Sequence, residues 1–169
     1  RVKSMALIHE SLYRTGDLAR FNFARYIDGL CTDLLQSYGN RVSHIRLQTE
    51  LDELIFDVDT AVPCGLILNE LLTNALKYAF PDGHPGEIAI GLRADAGQVT
   101  LSIRDTGIGF PAELDFRHTE SLGLQLVLML TEQLGGTITL SCNCGTAFVV
   151  TFPHDSEHVT GDSYAPQKD

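Results

Sequence analysis

The chain has 169 residues, 44% of them hydrophobic and 20% charged, and its formal net charge at pH 7 is -10. This length and apolar content suit one globular domain with its own core. The acidic balance argues against a nucleic-acid-binding protein, which usually carries a basic patch. No apolar run reaches the roughly 20 residues of a membrane-spanning helix, so we expect no membrane segment in this sequence.

The N-terminal part predicts two helices. Residues 1–14 have helical periodicity and residues 15–22 read as a connector. Residues 23–38 form a second amphipathic pattern, which we expect to end at Gly39.

His9 is the one histidine that invites a catalytic interpretation. It precedes Glu10, and an acid beside a histidine can help to take its proton during phosphoryl transfer. However, His9 flanks an apolar stripe formed by Met5, Ile8 and Leu12. We therefore interpret His9 as a structural residue of a helix.

The remaining pattern separates strands from helices, which is typical of a two-layer α/β sandwich. Strands are predicted near residues 42–50, 53–58, 87–94, 98–104, 137–142 and 146–152, and helices at about 60–79 and from 121 to 134. The polar tail after Pro153 is expected to be disordered.

One face of the predicted helix at 60–79 is polar. Glu70, Asn74, Lys77 and Tyr78 recur at helical spacing. The opposite face is apolar: Leu66, Ile67, Leu71, Ala75 and Leu76. A carboxylate and a carboxamide one turn apart offer the oxygen ligands that Mg²⁺ prefers. The alternative is an amphipathic helix whose polar residues are merely solvated.

Residues 105–110 follow a predicted strand and form a turn around two glycines. Asp105 at the strand end can accept a hydrogen bond from an amino group, and Gly107 and Gly109 allow a flat ring to approach the main chain. The alternative is an ordinary turn.

The next helix begins near Ser121, and its free amide groups can hold phosphate oxygens. The alternative is a plain buried helix, which would have a similar sequence pattern.

The order of these motifs resembles the ATP-binding domain of the GHKL superfamily, which includes histidine kinases, gyrase, mismatch-repair ATPases and a chaperone family. Residues 69–78 resemble its N box, residues 105–109 and 121–124 its two glycine boxes, and residues 144–148 its final strand element. The resemblance implies a two-layer α/β sandwich of the GHKL (Bergerat) type, with a mixed, mostly antiparallel sheet packed on helices and an N-terminal helical remnant.

The resemblance implies roles at the phosphate end of a nucleotide. Asn74 would ligate Mg²⁺, with Glu70 beside it as the second catalytic and metal-site residue, and Lys77 would approach the phosphates. Main-chain contacts to the phosphates would come from Leu122, Gly123 and Leu124.

It likewise implies roles at the base. Asp105 would bind the adenine amino group, Gly107 and Gly109 would form the floor under the ring, Tyr78 would pack near the base or ribose, and Thr146 would support Asp105.

Within the superfamily, the motifs are most similar to those of sensor histidine kinases with a short ATP lid. Residues 110–120 would be that lid, with Arg117 as a candidate phosphate contact. Residues 1–22 resemble the end of the second dimerisation helix with its connector, residues 23–153 would form the ATP-binding domain, and 154–169 the tail. The phosphoacceptor histidine would then lie upstream of residue 1.

The resemblance implies that ATP donates its γ-phosphoryl group to that histidine and that a response regulator then receives it. The full-length protein would be a homodimer, and this domain would be cytoplasmic. One alternative is a GHKL ATPase with Glu70 as the base. Another is a nucleotide-free module that binds a partner.

The four cysteines form no dense disulfide framework. We expect Cys142 and Cys144 to occupy one face of a strand, the alternative being half of a metal site.

Overall fold

The computed structural model describes residues 21–154. The predicted helix at 1–14, His9 within it and the tail after residue 154 lie outside the described residues.

In the described part of the chain, five strands form the main sheet, in the spatial order β2-β4-β5-β7-β6. The strands in chain order are β1 (Phe21–Asn22), β2 (Ile45–Leu51), β3 (Ile55–Phe56), β4 (Gly86–Asp95), β5 (Gln98–Asp105), β6 (Thr137–Ser141) and β7 (Ala147–Pro153). The pair β2 and β4 is parallel, and the other three pairs are antiparallel. The expectation of a mixed, mostly antiparallel sheet is confirmed.

Within residues 21–154, three α-helices pack on this sheet: α1 (Phe23–Tyr38), α2 (Val58–Asn74) and α3 (Leu122–Gln133). Alternate residues of the central strands are fully buried, as Ile88, Ile90 and Leu92 of β4 show. They belong to one core with Ile67 and Leu71 of α2. One apolar sheet face covered by helices is the arrangement of a two-layer α/β sandwich, as predicted.

Local capping explains where α1 and α2 begin. The Asn22 side chain accepts a hydrogen bond from the Arg25 N–H at 3.1 Å, and α1 ends at Gly39, whose φ is 54°. The Asp57 side chain accepts from the Thr60 N–H at 2.8 Å, so α2 starts at residue 58, slightly before the predicted position.

The strand predicted at 53–58 differs from the structure. It is only the two residues of β3, and it pairs with β1 in a separate small sheet, where a connector was expected. Aromatic packing explains this pairing, because the Phe23 and Phe56 ring centroids lie 4.9 Å apart. The Phe23 N–H also donates to the Leu54 carbonyl oxygen at 2.9 Å.

The expected placement of two cysteines is wrong. Strand β6 ends at Ser141, so Cys142 and Cys144 lie in the turn before β7, and Cys144 has a φ of 60°. Both thiols are exposed, whereas Cys31 and Cys64 are buried in the core.

Among the helices within residues 21–154, none combines the length and the hydropathy that a membrane span requires.

Candidate functional site

Two adjoining cavities lie between α2, α3 and the ends of β5 and β7. The first has a volume of about 460 Å³ and a largely apolar wall, to which Leu71, Ile103 and Phe148 contribute. The second, also of about 460 Å³, has a more polar wall. Its lining is Leu34, Ser37, Tyr38, Asn69, Glu70, Thr73, Asn74, Lys77, Tyr78, Ser121, Leu122 and Gly123. The two cavities share Asn74, Tyr78 and Ser121, so one elongated ligand can occupy both.

Asp105, the last residue of β5, places a carboxylate in the apolar cavity. The residue is only 5% exposed. Its Oδ1 accepts hydrogen bonds from the Gly107 N–H at 2.9 Å and from the Thr146 N–H at 3.1 Å. Because both amides bond to Oδ1, Oδ2 has no donor among residues 21–154 and can accept a hydrogen bond from a ligand in the cavity.

The glycine turn after Asp105 lies in close contact with Ala79, in the segment that follows α2. A Cβ on Gly107 would lie 2.1 Å from the Ala79 carbonyl oxygen, which also accepts from the Ile108 N–H at 2.9 Å. Gly107 is therefore needed for the approach of the turn to Ala79. Gly109, with a φ of 84°, lines the apolar cavity, and its place under a bound ring stays a prediction.

The predicted polar helix face is divided between two kinds of helix. Helix α2 ends at Asn74, and residues Ala75–Ala79 continue as a π-helix, a feature frequent at functional sites. Asn74 lines both cavities, and Glu70, 7% exposed, lines the polar one. The π-helix places Lys77 at the polar cavity and Tyr78, 67% exposed, at the mouth of both.

The N-terminus of α3 faces both cavities. Ser121 occupies the N-cap position, as predicted, but its side chain makes no capping hydrogen bond to the described residues. The first N–H groups of a helix have no intrahelical acceptor and carry its positive dipole end. Leu122 and Gly123 line the polar cavity and Leu124 the apolar one.

The segment 110–120, predicted to be a lid, is held to the sheet by a short 3-10 turn, Phe116–His118. Phe116 is buried and packs edge-on against Phe148, with ring centroids 5.8 Å apart. The guanidinium of Arg117 donates to the Ile138 carbonyl oxygen at 3.2 Å and lies over the Phe116 ring. These contacts hold Arg117 on the sheet, and Arg117 is in neither cavity lining, so its phosphate contact stays a prediction.

A hydrogen-bonded pair shapes the same turn. The Asp115 side chain contacts His118 Nδ1 at 2.6 Å and accepts from the Arg117 N–H at 2.9 Å. These two hydrogen bonds, with that of His118 the larger influence, lower the pKa of Asp115 below its ordinary value.

Sequence reasoning missed one wall of the site. Leu34, Ser37 and Tyr38, at the end of α1, line the polar cavity. They belong to no motif, and nothing local in the sequence predicts that α1 ends beside α2. Thr119 also lines the apolar cavity, although the sequence indicates no role for it beyond the lid segment.

Family models match two parts of the chain. The family model for the histidine kinase-, DNA gyrase B-, and HSP90-like ATPase matches residues 60–156. A second model, described as histidine kinase, matches residues 1–38.

The curated relatives are longer proteins. The chain is 31% identical over 107 residues to blue-light-activated histidine kinase 2 of Erythrobacter litoralis, covering 63% of this chain and 31% of that protein. It is 28% identical over 140 residues to the sensor histidine kinase PdtaS of Mycobacterium tuberculosis, covering 82% of this chain and 28% of that protein. The chain thus spans less than a third of either relative.

Among solved structures, the histidine kinase domain of the Erythrobacter litoralis EL346 blue-light-activated histidine kinase matches with a TM-score of 0.82 and 24% identity, covering 90% of this chain and 72% of that one. At this identity the likeness shows the fold, and it confirms the predicted GHKL architecture. With more than half of its length matched by the family model, the chain belongs to the family of histidine kinase-, DNA gyrase B- and HSP90-like ATPases.

Proposed function

We propose that this chain is the ATP-binding catalytic domain of a sensor histidine kinase. It would transfer the γ-phosphoryl group of ATP to a histidine of the dimerisation region, from which a response-regulator aspartate receives it. Residues 23–153 would form this domain and residues 1–22 the end of the dimerisation region. The observation that carries the proposal is Asp105, a buried carboxylate with one oxygen open to an apolar cavity that continues into a polar one.

The apolar cavity suits an adenine ring. Oδ2 of Asp105 would accept a hydrogen bond from the exocyclic amino group, while Ile103 and Phe148 supply apolar wall. A guanine presents a carbonyl oxygen at the corresponding ring position, which would face the carboxylate without a proton between them. The site would therefore prefer adenine to guanine.

The polar cavity suits the phosphates. The N-terminus of α3 offers main-chain N–H groups of Leu122 and Gly123, and Lys77 adds a positive charge. Because the chain carries a net charge of -10, these local donors must offset its overall repulsion of a polyphosphate.

The oxygen donors at this end fit Mg²⁺. Asn74 would ligate the ion through its carboxamide oxygen, with Glu70 one turn away in the same cavity. Residues 21–154 contain no cluster of three or more His, Cys, Asp or Glu side chains placed for a metal, so phosphate oxygens and water would complete the coordination. When bound, Mg²⁺ neutralises the charge on the phosphate oxygens during transfer.

The chain's own contribution to transfer is mainly to position the reactants. The base and phosphate contacts would fix the γ-phosphoryl group at the outer end of the polar cavity. The carboxylate of Glu70, buried in that cavity, would accept the proton that the acceptor imidazole loses. The full-length protein would act as a homodimer in the cytoplasm.

Calorimetry with a non-hydrolysable ATP analogue, with and without Mg²⁺, tests the site in this chain. We expect Mg²⁺-dependent binding, much reduced in Asn74→Ala. A protein that contains the acceptor region should then show acid-labile phosphate from ATP labelled at the γ position. Folded protein that binds neither ATP nor ADP at millimolar concentration would refute the proposal and favour a partner-binding module. Steady phosphate release lost in Glu70→Gln would favour an ATPase.

A further inference from the structure

The side chain of Gln125 joins the end of the lid segment to helix α3. Its Nε2 donates to the Thr119 carbonyl oxygen at 2.9 Å, and its main-chain N–H donates to the Ser121 carbonyl oxygen at 3.0 Å. Gln125, near the start of α3, therefore holds both Thr119 and Ser121, the residues on either side of Glu120.

Thr119 completes this arrangement from the other side. Its hydroxyl oxygen accepts a hydrogen bond from the Ser121 N–H at 3.1 Å. Three hydrogen bonds thus fix the path of the chain through residues 119–121, where the lid segment becomes helix. Thr119 and Ser121 both line the apolar cavity, and Ser121 also lines the polar one.

The direction of the first amides of α3 depends on this path. The Ser121 side chain makes no capping bond to the described residues, so it does not hold these amides itself. Leu122 and Gly123 face the polar cavity, where a displacement of the first turn would misdirect their N–H groups. Gln125 lines neither cavity and would act on a ligand only through the main chain.

We propose that Gln125 is a positioning residue for phosphate recognition: its side-chain amide holds the Thr119 carbonyl so that the first amides of α3 point at the phosphates. This inference rests on the proposed nucleotide site. It assigns Gln125 to the phosphate end alone, since Asp105 is held separately by Gly107 and Thr146.

The test compares ADP with adenosine, which lacks phosphates, by calorimetry on the whole 169-residue chain. In Gln125→Ala we expect the Kd for ADP to rise about threefold to tenfold, the range for loss of one exposed hydrogen bond, and the Kd for adenosine to stay unchanged. Gln125→Glu keeps the side-chain length but loses the N–H donor, so it should weaken ADP binding at least as much.

Gln133 provides a matched control, because it is an exposed glutamine at the opposite end of the same helix. Gln133→Ala should change neither Kd. Hydrogen exchange adds an independent readout, since the hydrogen-bonded amides of Ser121 and Gln125 should exchange faster in Gln125→Ala and at an unchanged rate in Gln133→Ala.

Unchanged ADP affinity in Gln125→Ala would overturn the proposal. An equal loss for ADP and adenosine would also overturn it, because it would indicate a general structural role. If the folded wild-type chain bound neither ligand, the nucleotide site itself would be refuted. If Gln125→Ala bound both adenosine and ADP with the same affinities as the wild type, only the positioning role would be refuted.

Discussion

Asp105 and Thr146 are joined by two hydrogen bonds. The Asp105 N–H donates to the Thr146 carbonyl oxygen at 2.8 Å, and the Thr146 N–H donates to Asp105 Oδ1 at 3.1 Å. The first bond extends the pairing of β5 with β7 by one residue, and the second orients the carboxylate. The sheet ladder therefore fixes the direction of the group proposed to recognise adenine.

Asp105→Asn should keep the hydrogen bonds that support the turn and remove the acceptor proposed to recognise the ligand. The Asn oxygen can still accept from Gly107 and Thr146, so its NH₂ group would face the cavity and oppose the adenine amino group. We expect affinity for ADP to fall at least about tenfold with little change in the free energy of unfolding. Calorimetry and urea denaturation measure the two effects.

Asp95→Asn is the control for loss of charge, because Asp95 is an exposed residue at the end of β4 outside both cavities. It should leave ADP affinity unaltered. Equal ADP affinities in the wild type and Asp105→Asn would show that the carboxylate does not recognise the base.

Gly145→Ala should destabilise the fold. A Cβ there would lie 1.9 Å from the Asp105 carbonyl oxygen, and the φ of 117° is strained for any residue with a side chain. We expect a loss of about 2 to 4 kcal/mol in the free energy of unfolding, from overpacking and backbone strain together. Urea denaturation provides the measurement.

Gly29→Ala is its matched control. Gly29 lies within α1, where an added Cβ would meet no atom of a neighbouring element within 4 Å in the described part of the chain. Alanine should therefore stabilise the helix by about 0.5 to 1 kcal/mol. A similar effect of both substitutions would mean that the contact between Gly145 and Asp105 is not tight in solution.

Phe116→Ala should detach the lid segment from the sheet. The Phe116 ring packs on Phe148 and beneath the Arg117 guanidinium, and little of it is exposed. We expect the free energy of unfolding to fall by about 2 to 4 kcal/mol, near the lower end for loss of a large core side chain. We also expect faster proteolysis within residues 110–120. Denaturation and limited proteolysis provide the readouts.

In the same segment, Leu114 is 53% exposed. Leu114→Ala should therefore change the free energy of unfolding by less than about 0.5 kcal/mol. Equal losses for the two variants would show that Phe116 does not anchor the segment.

Asp57 should make stability depend on pH. Hydrogen bonds from Thr60 lower the pKa of this N-cap carboxylate below its ordinary 3.8. A lowered folded-state pKa means stabilisation that is complete above the unfolded-state pKa and lost as the pH falls through the folded-state value. Asp57→Ala should lower the free energy of unfolding by about 1 kcal/mol near neutral pH. The difference in this free energy between the variant and the wild type should shrink in acid.

Unfolding by urea at a series of pH values from neutral to acid measures this difference. Asp59, in the first turn of the same helix but not at the cap, is the matched position for an Asp59→Ala control. A difference between wild type and Asp57→Ala that is constant with pH would contradict the capping role.

Local features of the sequence determined much of the fold. Helix α1 coincides with the predicted 23–38, because the cap at Asn22 and the glycine at 39 act within a few residues of the helix ends. Strands β4 and β5 likewise lie at the predicted positions near 87–94 and 98–104, since alternation of apolar and polar residues is a local signal. The motifs at 69–78, 105–109 and 121–124 sufficed to identify the family.

Tertiary structure decided what depends on distant pairing. No local pattern predicts that β1 pairs with β3, that Gly107 meets Ala79, or that the end of α1 lines the polar cavity. Arg117 shows the same limit, because its contact with Ile138 forms only once the lid segment packs on the sheet. The physical reason is that periodicity and caps act within one element, whereas these contacts depend on how separate elements pack together.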